Sequence, residues 1–237
     1  MDNNQYSTAG YKSAEIAEVE SRKFLLNVYN WMAMGLALTG IIAFGVSTSD
    51  TLLRIFILNR FLFYGLLIFQ FVIVVALSAA LKRIPAIIAI GAFFLYSAMT
   101  GLTFSVLFLV YTSASIASTF FICAAMFASV SVFGYITKMN LAGVGTFMYM
   151  GLIGLIIASI VNLFINSSSL YFIISYAGVL IFVGLTAWDT QKLKKISYMQ
   201  DFETEEGKKI AVMGALNLYL DFINMFLFLL RIMGSRR

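Results

Sequence analysis

No charged residue occurs between Ile84 and Thr137, and none again between Met139 and Trp188. A helix that crosses a bilayer needs about 20 apolar residues at about 1.5 Å rise each. Each uncharged stretch is therefore long enough for two crossings joined by a short turn, and too long for one buried core helix. A transmembrane β-barrel would alternate apolar and polar residues over segments of about ten. Runs such as FVIVVALSAAL, from Phe71 to Leu81, do not alternate. Only 11% of the chain is charged, against roughly a quarter in soluble domains, so a water-facing surface cannot be covered. The chain reads as an all-α membrane protein, a seven-transmembrane-helix bundle.

The predicted spans are Phe24–Val46, Phe61–Leu81, Pro85–Val110, Ile116–Ile136, Gly143–Ile165, Leu170–Trp188 and Ile210–Met233. Arg22 and Lys23 stop abruptly before the first; Lys82 and Arg83 end the second. Pro85 stands where a new helix can do without an amide hydrogen. Residues 1–21 form a polar N-terminal tail and residues 22–237 the seven-helix domain. The tail has no short apolar core followed by a small-residue cleavage site, so it does not read as a cleavable secretory signal. The first span is expected to act as an uncleaved signal anchor.

Lys and Arg accumulate in cytoplasmic loops. The tail and the second, fourth and sixth loops hold eleven of the 16 basic residues, and the other side holds Arg54, Arg60, Arg231, Arg236 and Arg237. The expectation is a multi-pass protein of the inner or plasma membrane with a cytoplasmic amino terminus, although the Arg236-Arg237 tail runs against that bias. The basic residues form no stripe interleaved with exposed aromatics, so nucleic acid is not an expected partner. The lipid bilayer is.

The chain has no His and one Cys. A Ser-His-Asp triad, a Cys-His pair and an HExxH zinc site are all excluded, as is a CxxC redox motif. No phosphate-cradling glycine motif occurs. The chain is read as a non-enzyme without a cofactor. Two aspartates within a membrane bring intramembrane aspartyl proteases to mind, but the Y-D and G-x-G-D signatures are missing, since Asp221 follows Leu220.

Proton or cation chemistry must therefore fall to carboxylates. Nine of the eleven acids lie in water: Asp2, Glu15, Glu18 and Glu20 in the tail, Asp50 in the first loop, and Asp201, Glu203, Glu205 and Glu206 in the sixth. The other two are Asp189, at the end of span six, and Asp221, near the middle of span seven. An aspartate at the bilayer centre costs at least about 2.5 to 3.5 kcal/mol, which makes it a functional residue by default. Gly214, Asn217, Asp221, Asn224, Phe228 and Arg231 recur every three or four residues and share one helical stripe. That stripe should face the bundle interior, either as a hydrogen-bond ladder or as a lined pathway.

Asp189 alone reads as a solvated end-of-helix acid, with Lys192 within helical reach. Were it to meet Asp221 across spans six and seven, the two carboxyls could not both ionise, and the pair would share a proton. Counting from a turn between Ser197 and Gly207 puts Asp189 about 12 Å and Asp221 about 21 Å into the membrane, about one and a half turns apart. Asn27, Asn30 and Gln70 read as interhelical hydrogen-bonding groups. Cys123 reads as a packing residue.

MTGLTFSVLFLVY in span three, YAGVLIFVGLTAWDTQKLKK in span six and ALNLYLDFINMFLFLLRIMG in span seven together resemble the Bax inhibitor family, also called the transmembrane Bax inhibitor motif family. The likeness covers about Phe24 to Gly234 and is that of a bacterial member. It implies a bundle with the seventh helix central, surrounded by the other six, working as a pH-sensitive calcium leak. It also implies that Asp189 and Asp221 share a proton as pH sensor and gate. Relatives with an acid partway along span two would match it at Gln70, a departure, and Lys82 and Arg83 are the nearest counterparts of an arginine cluster that reaches towards the aspartates. The expected permeants are calcium ions and protons, with Asp221, Asn217 and Asn224 as a transient Ca²⁺ site, since hard cations prefer carboxylate and carbonyl oxygens. A second reading is a regulator that binds other membrane proteins, for instance modulating a membrane-anchored protease through the amino-terminal tail.

Overall fold

A computed structural model describes residues 3–81, 83–198 and 202–237. Lys82, Asp2 and Asp201 lie outside the described residues. Among the described residues, seven helices are long and apolar enough to cross a membrane: α1 (Asn3–Ser47), α2 (Arg60–Ala80), α3 (Ala86–Phe104, continued as a short turn, Leu107–Val110), α4 (Ser113–Ile136), α5 (Ala142–Ile165), α6 (Ser168–Ser197) and α7 (Glu205–Met233). Between α1 and α2 the chain makes one α turn, Asp50–Leu53, and one π turn, Arg54–Leu58.

The helix starts follow from capping. Orphan amide hydrogens of a first turn need acceptors. Asn59, Thr112, Ser167 and Thr204 supply them through their side chains to Leu62, Ser115, Leu170 and Gly207. Pro85 sits one residue before α3, and the Ala86 amide donates to the Glu205 carboxylate. That bond ties the start of α3 to the start of α7. The chain leaves α5 through Asn166, whose φ of 53° is left-handed.

Three helices outrun the apolar runs that predicted them. α1 begins at Asn3, so the helix carries across the 21/22 boundary without a break. α7 begins at Glu205, under its Thr204 cap. α6 continues nine residues past Trp188 to Ser197. Hydropathy ends where Asp189 begins, but the extra turns of α6 are held by other means: Gln191 accepts from the Leu141 amide at 2.9 Å and donates to the Met139 carbonyl at 2.7 Å, and Lys194 donates to the Tyr135 carbonyl at 2.8 Å.

Large apolar side chains such as Phe61 and Phe164 point outward, as expected where lipid removes any hydrophobic drive between helices and close packing must hold them together. α7 is the most buried span, 72% of its apolar window being inside the protein, against at most 44% for any other. It packs against α1, α3, α4 and α6, while α2 packs on α3 and α5 on α6. Its approach to α6 needs glycine at position 178, because a Cβ there would come within 2.6 Å of the Phe228 ring.

Candidate functional site

α6 and α7 run antiparallel through one short connection, and two contacts set their register. Leu193 lies against Gly214, and Gly178 lies against Phe228. Each residue advanced along α6 is matched by one residue back along α7. On that register Asp221 stands opposite Thr186, three residues from Asp189, or about 4.5 Å along the axis. The offset of one and a half turns expected from the sequence therefore shrinks to less than one. The reason lies at the connection: α7 starts about five residues further out than the point at which α6 ends.

The facing follows from the same contacts. Gly214 and Phe228, at the two ends of the polar stripe, both touch α6, so Asp221 between them faces α6 too. Asp189 faces back, sharing a small cavity of about 120 Å³ with Lys192, Gly214 and Asn217. Both acids are 5% exposed. The Oδ1 of Asp189 and the Oδ2 of Asp221 are buried without a hydrogen-bond partner among the described residues. No hydrogen bond between the two carboxyls is seen among those residues; Asp221 lies within electrostatic range of Asp189, and Asp189 within that of Lys192.

The groups beside Asp189 are otherwise satisfied. Thr190 shares a hydrogen bond of 3.2 Å with the Tyr29 hydroxyl of α1, and Gln191 and Lys194 hold the far ends of α4 and α5. Ser197, at the end of α6, is hydrogen-bonded to Ser21 of α1. Lys192 does not form an ion pair with Asp189 among the described residues; its Nζ lies over the Trp188 ring, 5.0 Å from the centroid. The end of α6 is thus clamped on several sides around one acid whose Oδ1 has no hydrogen-bond partner among the described residues.

Two residues earlier on α7 a different arrangement appears. Tyr219 is fully buried, shares a hydrogen bond of 2.7 Å with the Thr39 hydroxyl of α1, and stands edge-on to Phe93 and Tyr96 of α3. The Thr39 hydroxyl is also 2.9 Å from the Ser97 and Gly35 carbonyls. This node joins α1, α3 and α7 next to the acids.

Other predicted residues take up separate places. Asn217 opens on the Asp189 cavity, whereas Asn224 opens on a second one of about 580 Å³ with Asn162, Asn166, Tyr171 and Arg231. The Asn224 amide donates to the Leu220 carbonyl of its own helix at 2.8 Å. Asn217, Asp221 and Asn224 are therefore successive stations on one stripe and not one cage, because seven residues of helix, about 10 Å, separate the two amides. No cluster of three or more acidic, Cys or His ligands occurs among the described residues. Gln70 is 8% exposed and spends its amide on α3, donating to the Met99 carbonyl at 3.3 Å and accepting from Thr100 at 3.5 Å. It stands apart from the acids.

Arg83 is exposed and does not line the Asp189 cavity; Leu81 does. The reach of a basic pair towards the acids is accordingly not seen for Arg83. Cys123 is buried with its sulfur 3.7 Å from the Phe222 carbonyl, a packing role.

Sequence reasoning missed Tyr149. It stands on α5, edge-on to Trp188 with ring centroids 5.5 Å apart, and its phenol lies within electrostatic range of both acids. The small residue one turn before it carries a signal: Gly145 lies so close under the Trp188 ring that a Cβ would collide, and this close approach brings α5 up to the end of α6.

A family profile described as "Inhibitor of apoptosis-promoting Bax1" matches residues 21–237. The chain is 46% identical to the protein named "Inner membrane protein YbhL" of Escherichia coli K12, over 90% of this chain and 92% of that one. It is 45% identical to an uncharacterised protein of Borreliella burgdorferi, over 91% and 93%. With an uncharacterised protein of Rickettsia prowazekii the identity is 44%, over 91% of each. With seven apolar helices and matches of this extent, the chain is a multi-pass membrane protein and belongs to the Bax inhibitor family.

Proposed function

We propose that the protein is a passive, proton-gated cation leak, with Ca²⁺ as the physiological permeant and Asp189 and Asp221 as the gate. The observation that carries this reading is a pair of buried acids less than one turn apart in register, each with an oxygen that has no hydrogen-bond partner among the described residues, between two separate cavities. A structural polar group in an interior is normally hydrogen-bonded. A buried intramembrane acid is costly to keep, which favours a working role for the pair.

In the closed state one proton is shared between the carboxyls and draws α6 and α7 together. Loss of that proton leaves two like charges in a low-dielectric interior, where repulsion is strong, and the helices part. An arriving cation substitutes for the proton by offering its charge to the same oxygens. Asn217 and Asn224 then serve as stations on either side, weak enough for release. The sign follows: flux rises as pH rises. In this reading the amino terminus is cytoplasmic, and the Asp189 cavity opens on that side.

Purified protein in liposomes, with Ca²⁺ entry followed from pH 5 to 8, tests the proposal. The wild type should gain at least about tenfold in flux across that range, the equivalent of about 1.4 kcal/mol. Asp221→Asn should be flat within about twofold. Equal pH profiles for the two proteins would remove the acids from the gate.

The second reading, a regulator that binds other membrane proteins, draws on a lateral groove between α1 and α4. Part of α7, including Phe222, is open to it, and its polar end holds Glu18, Arg22 and the unpartnered Ser131 hydroxyl. Because Ser21 is bonded to Ser197, a tail deletion meant to test this reading should stop before residue 18. Loss of partner binding with flux unchanged would favour the regulator.

A further inference from the structure

The end of the bundle remote from Asp189 is built around arginine. The first turn of α6, the last of α7 and the turn after α5 enclose a cavity of about 470 Å³. Arg231 and Arg236 both line it, with Asn162, Asn166, Ser168 and Tyr171 among its other walls, and no carboxylate side chain does. Neither guanidinium forms an ion pair among the described residues. Arg231 rests on aromatic faces instead, 5.7 Å from the Tyr171 centroid and 5.2 Å from that of Phe228.

Arg236 is not on a loose tail. The segment after α7 is fastened to the turn between α3 and α4 by three bonds: the Thr112 amide to the Ser235 carbonyl at 3.1 Å, the Arg237 amide to the Val110 carbonyl at 3.0 Å, and the Ser235 amide to the Ser115 hydroxyl at 2.9 Å. An isolated antiparallel bridge pairs Tyr111 with Arg236, and the Tyr111 and Tyr171 hydroxyls interact with its guanidinium. Arg231 and Arg236 thus face one polar cavity that no carboxylate side chain lines among the described residues. Guanidinium forks match the oxygens of phosphate in pairs, and the amino end of α6, whose Ser168 lines the same wall, adds amide hydrogens of the same polarity.

We propose that this cavity is a phosphate-binding site, with Arg231 and Arg236 as its two clamps and the phosphate of an anionic phospholipid headgroup or a free phosphate as ligand. It accounts for arginines on the side of the bundle with fewer basic residues, against the usual loop bias. It also gives the fastened C-terminal segment a purpose, since that segment carries one of the clamps. The cavity shares Asn162, Asn166, Tyr171 and Arg231 with the cavity of Asn224, so bound phosphate would cancel positive charge at the mouth of that cavity. The site itself does not depend on the protein being a leak.

Delipidated full-length protein in zwitterionic detergent is the material for the test, with bound lipid read by native mass spectrometry. Phosphatidylglycerol should be retained over phosphatidylcholine by at least about tenfold, and Arg231→Gln/Arg236→Gln should reduce that ratio to within about twofold. Arg231→Gln alone, which breaks no hydrogen bond seen among the described residues, should lower it severalfold, and it serves if the double variant does not fold. Inorganic phosphate that raises the thermal midpoint of wild type, but not of Arg231→Gln, identifies a free anion as a ligand; selective phosphatidylglycerol retention without that response identifies the headgroup. Equal retention of the two lipids with no response to phosphate would overturn the site. So would a preference for phosphatidylglycerol that Arg231→Gln leaves unchanged.

Discussion

Tyr219 and Asp221 stand two residues apart on α7, both buried, and the protein treats them in opposite ways. The Tyr219 hydroxyl is hydrogen-bonded to Thr39, itself close to two carbonyls, with aromatic rings packed edge-on around it. Asp221, more polar and more costly to bury, has an oxygen without a hydrogen-bond partner among the described residues. The same contrast recurs on α6, where Thr190 and Gln191 are satisfied and Asp189 beside them is not. Among the described residues the polar groups beside the acids are thus hydrogen-bonded, while each acid, like the Ser131 hydroxyl, keeps a buried oxygen without a partner. On the proposed function, the two open acids are the groups expected to change state.

Substitutions should divide along that line, and the largest loss belongs to the satisfied set. Tyr219→Ala should remove about 3 to 5 kcal/mol through its cavity alone, read as a fall in thermal midpoint in detergent, while any folded fraction keeps its pH-dependent flux. A smaller loss, about 1 to 3 kcal/mol, is expected of Gln191→Ala, which leaves the Leu141 amide without its acceptor. Gly134→Ala should cost about the same, because its Cβ would meet the Ala187 carbonyl of α6 and the backbones would have to part. Asp189→Asn and Asp221→Asn should cost about 0.5 to 1.5 kcal/mol at pH 5, the net worth of one hydrogen bond, since the shared proton between the carboxyls is lost. Their main effect should fall on flux. If the two acids act as one unit, the double variant should be no flatter in its pH profile than either single one; additive effects would mean two independent sensors.

Much of the fold was legible because charge is so scarce. Two long uncharged stretches and the basic pairs that bound the others are enough to place seven spans, and the stripe from Gly214 to Phe228 shows which way Asp221 points. The ends of the helices were not legible. Hydropathy stops at Trp188, yet α6 runs on because Gln191 and Lys194 bond to backbone carbonyls at Met139 and Tyr135, and any residue type there presents the same carbonyl. The relative height of the two acids escaped for a related reason: loop length says how far apart two helices end in sequence, not which starts further out. Tyr149 and Tyr219 were hidden among 12 tyrosines, most of which would pass for interface residues. The stripe also suggested a single site for Asn217, Asp221 and Asn224, whereas separate cavities divide the two amides; a shared helical face does not imply a shared pocket.

The two open carboxyls are expected to change their relation with pH. Structures of the wild type at pH 5 and pH 8 measure that relation directly. The prediction is a carboxyl–carboxyl separation of hydrogen-bond length at pH 5, about 2.5 to 3.0 Å, and α6 and α7 drawn apart around Asp189 and Asp221 at pH 8. An unchanged separation at the two pH values would contradict it.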